Sequence, residues 1–116
     1  MTPYRQVFAF DGHAWPSDNP RDAALFSTTP EELSARAVPT FEPGVDDLDH
    51  YRAAGLELGS GRRVLLTWYE NAPVRGLLLQ VDPADDLATT RMETMTTLAL
   101  TAGELLWQLD SDAAGG

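Results

Sequence analysis

Cysteine is absent from this chain of 116 residues, and its absence excludes disulfides, thiolate nucleophiles and sulfur-ligated metal sites. A chain without cysteine suits a reducing compartment, so we expect a cytoplasmic protein. Long apolar runs are absent too. The first residues do not have the pattern of a signal peptide, and every uncharged apolar stretch is far shorter than the ~20 residues of a bilayer-spanning helix. We therefore expect no association with a membrane.

Lysine is also absent, so all eight basic residues are arginines, and they stand against 18 acidic residues for a formal net charge of -10. Binding to nucleic acid requires clustered cations that neutralise phosphates. In this sequence only Arg62 and Arg63 are adjacent. We therefore exclude nucleic acid as a partner, and we interpret the acid surplus as favouring solubility or a cationic partner.

Length and composition indicate one folded unit. The 116 residues, 43% of them hydrophobic, match the common size of a single domain and supply one core. We assign residues 1–110 to this domain and residues 111–116 to a flexible tail. A domain of this size leaves roughly a third of its unfolded-chain surface exposed, which disfavours a large internal substrate cavity.

Apolar patterning predicts the strands of an antiparallel sheet. Residues 4–10 alternate with a period of two, and residues 63–69 and 74–81 are apolar on both sides. Two-sided strands imply that each sheet face is covered at least in part, by helices or by another subunit. The predicted fold class is α+β: a single small domain with an antiparallel sheet centred on a 63–81 hairpin and a C-terminal helix packed on one face.

Two segments in the first half of the chain carry helix signals. Residues 29–32, Thr-Pro-Glu-Glu, have the N-cap, first-turn proline and capping-box spacing that predict a helix over 30–37. Residues 45–54 have apolar residues at helical spacing and predict a short acidic helix. An extended segment over 51–58 is the alternative, because a turn-forming Gly-Ser-Gly sequence follows it.

The last third of the chain is ambiguous. A helical apolar stripe runs from Leu87 to Leu109, but the threonines between Thr89 and Thr101 lower the helix propensity, so helix and strand both remain open for 84–100. Thr101 and Glu104 have capping-box spacing ahead of an apolar run. That spacing predicts a helix that begins at Thr101 under either alternative.

Three candidate motifs fit structural roles better than chemical ones. The segment 59–63, Gly-Ser-Gly-Arg-Arg, lacks the Gly-Lys-Ser/Thr and the helix of a phosphate loop, so we interpret it as a hairpin turn. The acidic segment 82–86 lacks EF-hand spacing, and we interpret Asp82 as a helix N-cap with Pro83 in the first helical position. No serine lies in a nucleophile elbow. We predict no metal site and no cofactor.

Histidine supplies the side chains that titrate near neutral pH. His13 and His50 each lie near aspartates in the sequence, and an Asp-His pair could supply general acid–base catalysis. Adjacency in sequence does not place a carboxylate on an imidazole. We therefore interpret both as surface residues and keep them as acid–base candidates only if the protein is an enzyme.

Two groups of carboxylates form the main candidate site for a partner. These residues, with one aromatic neighbour, are Asp46, Asp47, Asp49, Tyr51, Asp85 and Asp86. Long-range attraction speeds encounter with a basic protein, and aromatic residues supply buried anchors. The main hypothesis is a small acidic protein-binding domain, such as a bacterial immunity- or antitoxin-type inhibitor that occludes a basic partner. The hypothesis depends on three bulk properties: small size, acidic charge and the lack of catalytic motifs.

Two alternative hypotheses remain. The first is a small α+β enzyme or small-ligand-binding protein with a pocket between the sheet and the C-terminal helix. The predicted lining is Trp68, Tyr69, Met92, Met95 and Trp107. A cavity with a histidine pointing into it would distinguish this hypothesis. The second is a homodimeric structural or accessory protein whose apolar hairpin pairs with a second copy.

Overall fold

The computed structural model describes residues 4–7, 20–35, 41–45, 50–72 and 75–108, and in this part of the chain sheet predominates over helix. The strands and helices are β1 (Tyr4–Val7), β2 (Arg21–Phe26), α1 (Pro30–Ala35), β3 (Glu42–Val45), β4 (His50–Leu58), β5 (Arg63–Tyr69), β6 (Leu77–Val81), α2 (Leu87–Leu98) and β7 (Leu105–Gln108). A 3-10 turn at Ala102–Glu104 precedes β7. The predicted continuation of β1 to residue 10 and the predicted tail at 111–116 lie outside the described residues.

The seven described strands form one antiparallel sheet in the order β1-β4-β5-β6-β2-β7. Strand β4 is long enough to hold two partners on one edge. Its first half, from His50 to Ala53, pairs with β3, and its second half, from Gly55 to Leu58, pairs with β1. The β5–β6 hairpin lies in the middle of this order, so the predicted antiparallel sheet in one compact domain is confirmed. Among the described helices, none is long and apolar enough to cross a membrane.

The main core lies on one side of the sheet, which we call the core face. Strand alternation places Leu56 of β4, Leu66 of β5 and Leu79 of β6 on this side, and all three are fully buried. Leu87 and Leu98 of α2 belong to the same apolar cluster. Both ends of α2 therefore contribute to the core that the sheet builds.

The other side of the sheet, which we call the second face, is also buried at its centre. Ala53, Leu65 and Thr67 lie there and are at most 3% exposed. Ala53 and Leu65 form a smaller apolar cluster against which Tyr51 packs. This burial occurs within a single chain, so the two-sided apolar pattern of β5 does not require a second copy.

Helix α2 resolves the ambiguity over 84–100 as a helix in its greater part. The hydroxyl of Thr94 donates to the carbonyl of Thr90 at 2.8 Å, and that of Thr90 donates to the carbonyl of Asp86 at 2.7 Å. Hydrogen bonds to the preceding turn satisfy these two hydroxyls inside the helix, so Thr90 and Thr94 are tolerated there. The helix ends at Ala99, whose φ of 54° is left-handed.

The predicted helix that begins at Thr101 is wrong. Its capping box does form, with the Thr101 N–H donating to the Glu104 carboxylate at 3.0 Å. The box starts only the single 3-10 turn Ala102–Glu104, after which Leu105 pairs with Phe26 as the first residue of β7. Pairing with β2 and the packing of Leu105 against the main core override the local helix signal.

Of the two earlier helix predictions, the first is confirmed and the second is wrong. Helix α1 begins at Pro30, and the Thr29 hydroxyl accepts a hydrogen bond from the Glu32 N–H at 3.1 Å. Val45 instead ends β3 and residues 50–54 begin β4, as the extended alternative over 51–58 predicted, while residues 46–49 lie outside the described residues. An extended chain wins there because β4 has pairing partners on both edges, which satisfy its backbone groups.

Candidate functional site

The predicted carboxylate site is only partly described by the structure. Asp46, Asp47 and Asp49 lie outside the described residues. Tyr51 lies at the start of β4, half-buried on the second face, where its ring meets Tyr69 edge-to-face with 6.0 Å between ring centroids. The same ring covers Gly44 of β3, and a Cβ at Gly44 would overlap it. Tyr51 therefore packs on the β3–β4 pair, and a side chain at position 44 would displace its ring.

The second predicted carboxylate group begins α2. Asp86 is the N-cap, and its Oδ2 accepts hydrogen bonds from the Thr89 N–H at 2.9 Å and the Thr89 hydroxyl at 2.5 Å. The prediction that Asp82 caps a helix with Pro83 in its first turn is wrong, because Asp82 belongs to the preceding turn and accepts from the Ala84 N–H at 2.9 Å. Asp86 thus has a structural role, and a role for it in partner binding stays a prediction.

Of the two histidines, the structure describes one. His13 lies outside the described residues, and His50 is exposed at the start of β4. His50 lines a cleft of about 250 Å³ together with Arg52, Trp68 and Glu70. The Glu70 N–H donates to the His50 carbonyl at 3.1 Å, so the two residues are cross-strand neighbours. Across residues 4–7, 20–35, 41–45, 50–72 and 75–108, no group of three or more histidines and carboxylates could hold a metal ion.

The pocket predicted between the sheet and a C-terminal helix does not form from its predicted residues. Alternation places Trp68 on the core face and Tyr69 on the second face. Met95 is buried in the main core, whereas Met92, three residues earlier on α2, is 61% exposed. Trp107 lies on β7, the last strand of the sheet order. The five side chains thus point to different regions of the molecule.

A β-bulge in β7 determines where Trp107 points. Leu105 pairs with Phe26 and packs against the main core, whereas Trp107 pairs with Leu25, which belongs to the second face. In a regular strand, residues two apart share a face. The extra residue at the bulge, Leu106, reverses this, so Trp107 leaves the core face.

The bulge completes an apolar row on the second face. In register order from β5 to β7 this row consists of Thr67, Leu78, Leu25 and Trp107. Thr67 is buried, Leu78 and Leu25 are half-buried, and Trp107 is 45% exposed. Leu106, at the bulge, is 50% exposed. We call Leu25, Leu78, Leu106 and Trp107 the edge patch.

Sequence reasoning placed Trp107 on a helix and did not select Leu106. The available signal was the apolar run at 105–107, which is compatible with a strand as well as with a helix. The exposure of Trp107 depends on a bulge in its pairing with β2, a strand about 80 residues earlier. The sequence around residues 105–107 does not indicate that pairing.

Ion pairs among the described residues involve at least four of the eight arginines. Glu57 of β4 bonds to Arg5 of β1 and to Arg63 of β5, the second at 3.4 Å. Two further pairs join Arg52 to Glu31 and Arg62 to Glu93. In this part of the chain four arginines are thereby matched to three glutamates, so these pairs do not reduce the acid surplus.

These pairs predict a loss of stability in acid. The Arg5 hydrogen bond lowers the pKa of Glu57, and the Arg52 hydrogen bond lowers the pKa of Glu31. A folded-state pKa below the unfolded value means that the contribution is present above the unfolded pKa, about 4.3, and is lost as pH falls through the folded pKa. Thermal melts between neutral pH and pH ~3 should show a falling midpoint below about pH 4.3. Glu57→Gln should flatten this decline, and an unchanged decline in that variant would contradict the assignment.

Comparison with known proteins assigns neither a family nor a function. No family model matches the sequence, and no curated protein and no solved structure matches it.

Proposed function

We propose that this protein binds a basic protein partner and occludes or escorts it, as an immunity protein or antitoxin does. The observation that carries the proposal is the net charge of -10, because the ion pairs of the described residues match four arginines to three glutamates and leave the acid surplus in place. An uncompensated negative field attracts a cationic surface over long range and speeds encounter. Carboxylates on this protein would meet the arginines and lysines with which a toxin holds nucleic acid.

The proposal includes a location and a mode of action. A chain without cysteine suits a reducing bacterial cytoplasm, where an immunity protein would meet a toxin. The protein acts by covering its partner, so the proposal requires no chemistry from His13 or His50. Asp46, Asp47 and Asp49 follow β3 directly in the sequence and remain the acidic segment with the highest local charge.

Capture from a native lysate of the source organism tests the proposal. Tagged protein should retain one basic protein in stoichiometric amount at low salt and release it as the salt is raised. Reversing Asp46, Asp47 and Asp49 to lysine should weaken binding of the purified partner more than salt screening does, and the matched asparagine triple variant should have roughly half that effect. Thermal melts serve as the fold control. Retention of no protein at low salt would contradict the proposal.

The cleft at His50 favours a second candidate function, the binding of a small ligand. An imidazole, an indole and a carboxylate line one cleft of about 250 Å³, which is the feature expected of the enzyme or ligand-binding hypothesis. The cleft lies where β4 begins and β5 ends, and it shares Trp68 with the pocket that the sequence predicted. If the capture fails, a ligand screen by NMR with His50→Ala as the comparison becomes the next experiment.

A further inference from the structure

We infer that the basic partner docks through apolar contacts on the edge patch of Leu25, Leu78, Leu106 and Trp107. This inference depends on the proposed function and gives it a place on the molecule. It locates the anchor of the interface on β7 and the adjoining second face, at a distance in sequence from the aspartates at 46–49.

Exposure of the patch does not serve the fold. Trp107 and Leu106 are 45% and 50% exposed, although a regular β7 would turn Trp107 to the core face. Bulges re-aim side chains and are common beside functional sites. Tryptophan is among the residues that contribute most to protein interfaces, particularly beside a partly buried apolar floor, which Leu25 and Leu78 provide here.

Negative charge near the edge patch favours a basic protein as the partner that docks there. Asp22 lies exposed on the same face, where its Oδ1 accepts a hydrogen bond from the Gln80 amide at 2.9 Å. An exposed apolar patch beside a carboxylate, on a chain with a net charge of -10, complements a protein surface that presents an apolar anchor site bordered by cations.

A second copy of this chain is a poorer occupant. A two-fold dimer through this patch would bring the same surface of each copy together. Asp22 would then face a like-charged surface, and each copy would carry the same net charge of -10. Like charges across an interface disfavour association.

The contact is made by side chains more than by added strand pairing. Strand β7 has four residues and contains a bulge. Short and bulged edge strands resist pairing with another strand. The partner therefore does not extend the sheet; it covers Leu106 and Trp107.

Site-specific photo-crosslinking tests the inference. The crosslinking residue p-benzoylphenylalanine replaces Leu106 in one variant and Met92 in a matched control, because Met92 is also a large apolar residue, is 61% exposed, and lies on α2. In lysate at low salt, irradiation should give an adduct between position 106 and the basic protein retained by the unmodified chain. Position 92 should give none.

Affinity measurements with the purified partner complete the test. Trp107→Ala should weaken binding about 30-fold, as expected of a hot-spot residue, and Met92→Ala should change it by less than about twofold. Both side chains are exposed, so both variants should keep the melting behaviour of the parent.

Each other outcome is decisive. An adduct at position 92 alone, or unchanged affinity of Trp107→Ala, would overturn the inference while the proposed function stands. An adduct at position 106 between two copies of this chain would replace the partner by a homodimer. The absence of any adduct together with the absence of any retained protein would overturn the inference and the proposed function.

Discussion

Replacing Phe26 by alanine is expected to lower the free energy of unfolding by about 3–5 kcal/mol, the largest stability effect that we predict for a single substitution. Phe26 is fully buried in the main core at the end of β2, between Leu77 of β6 and Leu105 of β7. Removing the ring forfeits its transfer free energy and leaves a cavity. A typical domain is stable by about 5–15 kcal/mol, so the variant should lose at least about a fifth of its stability.

The surroundings of Phe26 resist collapse into that cavity. Gly76, which precedes β6, lies against the β2 backbone so closely that a Cβ there would lie 2.8 Å from the Phe26 carbonyl oxygen. The two backbones are already in contact and have little room to move closer. The cost should therefore fall toward the upper part of the range.

Urea denaturation followed by circular dichroism measures this effect. Leu106→Ala is the matched control, because it removes a large apolar side chain from the neighbouring strand at a position that is 50% exposed. Its cost should stay within about 0.5 kcal/mol. A loss smaller than about 1.5 kcal/mol for Phe26→Ala would show that the site repacks and would contradict the assignment of Phe26 to a rigid core.

The central hairpin was predictable because its signals are local. The apolar runs of β5 and β6 have strand length, and a Gly-Ser-Gly sequence marks the turn that precedes β5. In the structure Gly61 takes a φ of 93°, a conformation that favours glycine. Local chemistry and tertiary pairing agree in this region, so the pattern and the fold coincide.

The errors lie where tertiary pairing opposes a local signal. Residues 45–54 have helical spacing, yet β4 finds partners on both edges and the extended chain wins. Thr101 and Glu104 form their capping box, yet only one turn follows before β7 pairs with β2. Both outcomes depend on strands that are distant in the sequence, and a propensity carries no information about them.

The candidate site likewise combines features that can be read from the sequence with features that depend on tertiary pairing. The acid surplus can be counted from the sequence, whereas the edge patch depends on one bulge. The helix N-cap was predicted at Asp82, but the structure has it four residues later at Asp86, because Asp82 belongs to a turn that precedes the helix. Composition thus leads to the proposed kind of partner, and strand register leads to the proposed surface.

Replacing Glu93 by alanine is expected to destabilise the protein by about 1–2 kcal/mol, which is large for a residue outside the main core. Glu93 lies on α2 and its carboxylate accepts three hydrogen bonds from the turn between β4 and β5. The Ser60 N–H donates at 3.0 Å, the Ser60 hydroxyl at 2.6 Å, and Arg62 Nη1 at 3.3 Å. A single side chain therefore ties the turn to the helix.

The size of the effect follows from the charge and the partial burial of these bonds. Side chains of Glu93 and Arg62 are 22% and 31% exposed, so water screens the pair less than it screens a fully exposed one. Hydrogen bonds to a charged group contribute about 1.5–3 kcal/mol when buried, and the exposed Ser60 groups can regain water after the substitution, which lowers the expected value.

Two comparison variants separate this role from ordinary surface charge. Glu31→Ala breaks the pair with Arg52, in which Glu31 is 66% exposed, and should cost less than about 0.5 kcal/mol. Glu93→Gln keeps an acceptor oxygen without the charge and should fall between the parent and Glu93→Ala. Hydrogen exchange should show faster exchange of the Ser60 amide in Glu93→Ala than in the parent. Equal unfolding free energies for the two alanine variants would show that the turn needs no tie to α2, and that its glycines and the β4–β5 pairing hold it in place by themselves.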